Sequence, residues 1–485
     1  MSLVKEKGEL LQWLEDNSPR FTEMSDQIWG TPEISWEEFF ASQLQIEFLE
    51  NEGFSIARDV AGMNTAFIAE WGGGKPIVAF IGEYDALSGL SQKVQVTKEP
   101  IVEGGPGHGC GHNLLGTAGL AAAVAVQKWL KNSGTTGTVR YYGCPAEEGG
   151  GGKVFMARAG LFDDLDCALS YHPADYNTPS KGSTVAIQSS RFRFHGIASH
   201  AGGTPHLGRS ALDAVELMNV GANYMREHVL DSTRIQYIIT DGGKAANIVP
   251  ETAEVEYIIR AEKVDYLEEV VDRLRNIAKG ATLMTGTEFQ EKRQTAYSNQ
   301  MSNHVLADLM YAALEFIGPI EFSEEEIEYA QKINDAFPGT NEDYAQQAVD
   351  FIKPSAEHEE MILANKHLPL RGENFPPIDA HVIYKGATDV GDLSQITPTT
   401  ELNTTCFSTG CPGHSWANVA CAGMSIGHKG MLHAAKALAL TALDLFTNPA
   451  HIQAAQNEFD RKMGSREYIC PIPDDMKPPR LKPKS

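Results

Sequence analysis

The sequence predicts an α/β protein: a catalytic domain on a mixed, largely parallel sheet flanked by helices, with a smaller α+β domain inserted into it. Three observations predict this. Ile77 to Ile81 is a continuous apolar run, the mark of a strand buried on both faces. Strands of this kind alternate with an Ala-rich helical stretch, as in sheets with parallel members. After Gly182 the pattern changes to alternating strands and two amphipathic helices, a separate packing unit.

The first strand ends at Gly82-Glu83-Tyr84-Asp85. A helix follows at about residues 114–130. A second strand, residues 139–142, ends just before Glu147 and Glu148. A third, residues 166–171, ends at His172-Pro173. Ligands in such sheets collect beyond the carboxyl ends of strands. Asp85, the Glu147-Glu148 pair and His172 all stand at such ends, a coincidence that supports one site.

Residues 184–296 form the expected inserted domain. Val185, Ile187, Phe192 and Phe194 alternate as in a half-exposed strand. A helical stripe follows through Ala211, Val215, Met218, Ala222, Met225 and Val229. Two alternating strands come next, at residues 235–239 and 255–259. A second stripe runs through Val264, Leu267, Val271, Leu274, Ala278 and Ala281. The catalytic domain then comprises residues 1–183 and 297–485. In its second part, residues 323–333 predict an acidic, solvated helix, and 353–385 a Pro-rich irregular insertion. Residues 432–446 predict an amphipathic helix, and 471–485 an extended tail.

Bulk properties narrow the function. A net charge of −24 argues against a nucleic-acid partner, which needs clustered Lys and Arg. The most apolar stretch, residues 119–130, contains Gln127 and Lys128 and is too short to span a membrane. Met1-Ser2-Leu3-Val4-Lys5-Glu6 lacks the apolar core of a signal peptide. Seven cysteines form no dense framework. A soluble cytoplasmic protein is expected.

The chemistry concentrates in Gly107-His108-Gly109-Cys110-Gly111-His112-Asn113 and Pro145-Ala146-Glu147-Glu148-Gly149-Gly150. The first offers a thiol and an imidazole two residues apart. The second offers adjacent carboxylates after a buried strand, and a buried carboxylate needs a cation or a proton. Taken singly, Cys110 is most often a small apolar side chain and His112 a structural one. Together the set spans soft, borderline and hard metal ligands. A nucleotide loop fails on spacing: Gly107, Gly109 and Gly111 do not make a dinucleotide fingerprint, and no Lys-Ser/Thr follows.

Further segments at 199–201, 205–210, 247–250, 387–392 and 413–416 complete a pattern. With it the chain resembles the co-catalytic di-metal amidohydrolases of the aminoacylase and carboxypeptidase type. Within them it is similar to the branch with a bridging cysteine, which includes auxin-conjugate and p-aminobenzoyl-glutamate hydrolases. The resemblance runs over nearly the whole chain.

It implies that Cys110 bridges two divalent ions, zinc or manganese, with His112, Glu148, His172 and His414 completing the coordination. Glu147 would be the general base, and Asp85 would orient a ligand. His200, on the lid, would polarise the scissile carbonyl, often across a dimer. Asn247 and Arg260 would bind the substrate's carbonyl and carboxylate. The implied reaction cleaves the amide of p-aminobenzoyl-glutamate, with a dipeptide or another N-acyl amino acid as the alternative. The implied assembly is a homodimer through the lid, or a pairing with a paralogous A chain. One departure stands out. The family commonly reads Cys-Gly-His-Asp-x-His; here Asn113 follows His112 and carries no charge.

Overall fold

A computed structural model describes residues 3–339, 341–352, 355–377 and 379–482 of the chain. Its larger sheet contains β1 (Ser55–Arg58), β2 (Phe67–Gly73), β3 (Ile77–Glu83), β4 (Gly137–Cys144), β5 (Cys167–Ala174) and β6 (Thr178–Pro179). A two-residue strand, β7 (Ser183–Thr184), leads into the inserted domain. That domain holds β8 (Ala186–His195), β9 (Arg234–Asp241), β10 (Thr252–Ala261) and β11 (Glu288–Tyr297). β12 (Ile383–Tyr384) pairs parallel with β7, and β13 (Thr399–Thr405) returns to the larger sheet.

The larger sheet runs β1-β2-β4-β3-β5-β13-β6. Its four central strands, β4, β3, β5 and β13, are parallel. β1 and β2 on one side and β6 on the other join antiparallel. β3 is buried at every residue, as its unbroken apolar run predicts.

Helix His112–Ser133 lies directly on this sheet, with nearly every residue of its first five turns buried. The close approach depends on two glycines. A Cβ at Gly116 would stand 2.4 Å from the Glu83 carbonyl oxygen, and one at Gly119 2.8 Å from that of Ile81. The helix therefore begins over the carboxyl end of β3, which sets His112 beside Glu83 and Asp85. Long helix Ser425–Thr447 and helix Leu3–Gly30 pack into the same apolar core.

The inserted unit is a four-stranded antiparallel sheet, β11-β8-β10-β9. β10 alternates half-buried and buried along its length, so one face is core. Helices Ala211–Met225 and Val264–Thr285 cover that face. Val215, Met218, Leu267 and Leu274 meet Phe192, Phe194, Val255 and Tyr257 in a core separate from the main one. β9 is an outer strand, and its Ile238 and Ile239 are exposed, as are Val220 and Tyr224 on the adjacent helix.

Several expectations need adjusting. β5 extends through His172 and Pro173 to Ala174, so His172 sits inside the strand's last residues instead of after them. The stripe predicted to reach Val229 leaves the α-helix at Met225 and continues as a 3-10 turn. The acidic helix, Glu324–Asn334, is capped by Ser323 and exposes Glu324, Glu325 and Glu328 as expected, but Glu326 is buried against Lys429. The span 353–385 is not uniformly irregular. It holds helix Ala356–Ala364 and β12, while Lys353, Pro354 and Ile378 lie outside the described residues, as do residues 483–485 of the tail. Among the described residues, no helix is long and apolar enough to cross a membrane.

Candidate metal centre

The carboxyl ends of β3, β4 and β5 converge with the start of helix His112–Ser133. Asp85 stands two residues past β3, and Glu147 and Glu148 three and four past β4. His172 is near the end of β5. The turn into Glu147 is strained, with Ala146 at φ +59°, and His414 has φ +54°. Buried Glu38 clamps that turn: its Oε1 accepts the Ala146 N–H at 2.9 Å.

Asp85 is the hub. Its Oδ1 lies 2.9 Å from His112 Nδ1, and its Oδ2 accepts the Glu148 backbone N–H at 3.0 Å and the Ser35 hydroxyl at 2.9 Å. Burial opposes its charge, yet the His112 imidazole and these donors hold its carboxyl below the usual range. With Nδ1 engaged, His112 presents Nε2. His172 does the same, because its Nδ1 donates to the Pro173 carbonyl at 2.8 Å. Fixing one ring nitrogen so that the other faces a cleft is how proteins aim imidazole ligands.

Three sets of donor atoms gather here, each within 4.8 Å of one another: Cys110, His112 and His172; Cys110, Glu148 and His414; Glu83, His112 and Glu147. Cys110 belongs to the first two. Cys110 Sγ is 3.3 Å from His172 Nε2, and His414 Nε2 is 3.6 Å from Glu148 Oε2.

These residues fit divalent ions on their own evidence. His112 Nε2 and Glu148 Oε1 are buried without a hydrogen-bond partner, a costly state that a cation relieves. Burial pushes the Cys110 thiol well up, so only a strong local positive charge makes it a thiolate. Burial, then the nearby Glu83 and Asp389 carboxylates, raises Glu147 well above the ordinary range. A carboxyl that resists ionisation until cations arrive is suited to hold and pass a proton.

The lid residues stand apart from these sets. His200 and Asn247 are neighbours: the Ala201 N–H donates to the Asn247 carbonyl at 3.0 Å, and both residues are exposed. His200 Nδ1 accepts from Gly202 and Gly203, at 3.2 and 3.0 Å, so Nε2 carries the proton. Arg260 is elsewhere. His200 and Asn247 lie beyond the end of the lid sheet where Thr252 pairs with His195, whereas Arg260 pairs with Ile187 at the other end. Eight residue steps along the strand separate Thr252 from Arg260, about 26 Å at ~3.3 Å each. Arg260 donates to the Lys385 carbonyl at 3.1 Å.

Asn113 does not face the cleft. Its Nδ2 donates to Ser25 Oγ at 2.9 Å and to the Ala422 carbonyl at 3.1 Å, tying helices together. An Asp could not make those two donations. His108 bonds the Ile28 carbonyl, His428 bonds Asp26 and His433 bonds Asn374, so each has a structural partner.

Sequence reasoning gave no role to four residues here: Glu38, Glu83, Lys153 and Asp389, the last noted only as part of segment 387–392. Lys153 is wholly buried between Glu83 and Asp389. The available signal for Glu83 was its place at the end of a doubly buried strand, two residues before Asp85. Lys153 offered no signal beyond following the glycine run.

Known proteins share this architecture. A family model described as a peptidase dimerisation domain matches residues 184–283. The chain is 42% identical to the B polypeptide of the p-aminobenzoyl-glutamate hydrolase of Escherichia coli, over 97% of this chain and 98% of that one. It is 28% identical to the Xaa-Arg dipeptidase of Mus musculus, over 94% of this chain and 92% of that one. In fold it is similar to a dinuclear metal binding peptidase from the M20 family of Bacillus subtilis. That match has a TM-score of 0.57 at 15% identity and covers 89% of this chain and 99% of the other.

Proposed function

Because the chain belongs to the M20 family of metal-dependent peptidases and amidohydrolases, we propose that it hydrolyses the amide bond of p-aminobenzoyl-glutamate. The observation that carries this reading is one thiol, Cys110, shared by two donor sets, with Glu147 in a third set through His112. The substrate is taken from the relative that matches end to end. A dipeptide or another N-acyl amino acid is the second reading, favoured by the likeness to the Xaa-Arg dipeptidase.

In this reading Cys110, as a thiolate, would be the donor common to two ion sites, with His112 and His172 holding an ion on one side of it and Glu148 and His414 an ion on the other. Zinc and manganese both suit this mixture of N, O and S donors. When bound, such ions supply an acidified water and polarise a carbonyl. Glu147 takes the water's proton and returns it to the leaving amine. Asp85 keeps the His112 ring and the Glu148 backbone in place. His200, with its proton on Nε2, donates to the developing oxyanion, a contribution of about 3–4 kcal/mol for a well-placed donor. Asn247 assists at the carbonyl, and Arg260 pairs with the substrate carboxylate, which suits a guanidinium fork.

The separation along the lid bears on assembly. His200 and Asn247 at one end and Arg260 at the other do not converge on one site within a chain. We read Arg260 as serving its own chain's centre, and His200 and Asn247 as serving a partner's. The exposed Ile238 and Ile239 on the outer lid strand, with Val220 and Tyr224 beside them, suit a homodimer through the lid. The Escherichia coli hydrolase is named for two different polypeptides, which makes a paralogous A chain the other candidate partner. Seven unpaired cysteines suit a reducing cytoplasm.

The test is a substrate comparison. Metal-loaded protein should give a higher kcat/KM for p-aminobenzoyl-glutamate than for Xaa-Arg dipeptides or N-acetyl amino acids. A preference for either of the others would move the assignment to that substrate.

A further inference from the structure

Glu83 is not among the five ligands assigned above, yet it shares the third donor set with His112 and Glu147. Its carboxylate is 2% exposed, and its two oxygens have different neighbours. Oε1 is 2.6 Å from Lys153 Nζ. Oε2 is 3.3 Å from His112 Nε2. That second contact lacks hydrogen-bond geometry, since His112 Nε2 has no hydrogen-bond partner.

The distance has a specific meaning. Two ligand atoms on one tetrahedral ion, each bonded at about 2.0–2.2 Å, stand about 3.3–3.5 Å apart. Glu83 Oε2 and His112 Nε2 therefore have the spacing of two ligands of a common ion. Glu147 contributes a third oxygen within 4.8 Å of both.

Lys153 makes this arrangement definite. It is wholly buried, and its ammonium also pairs with Asp389, whose Oδ2 accepts the Lys153 backbone N–H at 2.9 Å. By occupying Oε1, Lys153 leaves Oε2 as the oxygen that faces the cleft. A carboxylate present only to balance Lys153 has no need to turn its other oxygen toward an orphaned imidazole nitrogen.

We propose that Glu83 is a further metal-facing ligand, contacting the ion held by His112, and that Lys153 is the positioning residue that aims it. This rests on the di-metal reading above. It extends that reading by making the two sides of the centre unequal. The His112 side gains a carboxylate whose charge is partly offset by a buried ammonium, and the His414 side does not.

The experiment is metal binding, independent of turnover. Wild-type protein and Glu83→Gln are stripped with chelator and reloaded with zinc or manganese. Ions per chain are counted by mass spectrometry, and affinities are measured against a competing chelating dye. Wild type should hold two ions. Glu83→Gln should bind one of them at least about tenfold more weakly, a loss of the size seen when metal-site partners are removed, while its circular dichroism stays that of the folded chain and its thermal transition falls because Lys153 loses one of its two buried partners. Glu83→Asp keeps the charge but shortens the reach, and should show the same weakening. Two ions at wild-type affinity in Glu83→Gln would overturn the proposal. So would a weakened Glu83→Gln beside a normal Glu83→Asp, since charge alone would then suffice. Wild-type protein that takes up no ions would instead overturn the di-metal reading itself.

Discussion

Asp85 Oδ1 lies 2.9 Å from His112 Nδ1, and this contact decides which ring nitrogen faces the cleft. The other Asp85 oxygen holds the Glu148 backbone. One buried carboxylate thus couples both sides of the centre. Asp85→Asn leaves a single acceptor oxygen for donors that now use two. We expect metal affinity to fall about ten- to a hundredfold, measured by chelator competition. Unchanged affinity would separate Asp85 from ligand orientation.

Glu147→Gln keeps the side chain's shape and removes its basicity. Ion content should stay at the wild-type level while kcat falls by a factor on the order of 10²–10⁴, the usual weight of a general base. Turnover near wild type would move the proton transfer to another group.

Cys110 is the donor that two sets share. Cys110→Ala should therefore weaken both ions, whereas His414→Ala should weaken mainly one. Full occupancy of both in Cys110→Ala, measured by mass spectrometry, would contradict the bridging role.

The relation between sequence and structure follows from what each signal encodes. The doubly buried strand at 77–81 and the lid's β-α-β-β-α-β order were legible because burial imposes periodicity. Glu148 and His172 drew attention by their strand ends, and Cys110 and His112 by their glycine-rich segment, but only the family resemblance gave them ligand roles. Glu83 was not, because inside β3 it reads as the last residue of a buried strand, and its partner Lys153 lies 70 positions away. Glu38 was hidden for the same reason: its hydrogen bond to Ala146 joins segments 108 residues apart. Asn113 read as a lost charge near the site, and only the packing of three helices reveals it as a donor to Ser25 and Ala422.

The lid geometry predicts complementation. His200→Ala alone should lower turnover with both ions retained. Mixing it with Cys110→Ala lets each mixed dimer carry one intact centre and one intact lid across its two-fold axis. Random exchange should then restore about a quarter of wild-type activity. No recovery after verified subunit exchange would place His200 in its own chain's site.

His433 gives a pH dependence away from the centre. Burial pushes its pKa down to about 3, and its ring bonds Asn374. The unfolded chain takes up a proton near pH 6.5 that the folded chain refuses. The stability it contributes is therefore present above that pH and lost as pH falls toward 3, at about 1.4 kcal/mol per pH unit. In urea titrations between pH 6.5 and 4.5, His433→Leu should show a shallower loss of stability than wild type. Equal slopes would mean that His433 titrates alike in both states.

The most direct test of the central claim is release of p-aminobenzoate from p-aminobenzoyl-glutamate by the purified chain after chelation, then after reloading with zinc or manganese. The account predicts no release from the stripped protein and restored release on reloading, with about two ions per chain. Release that survives complete removal of the ions would contradict it.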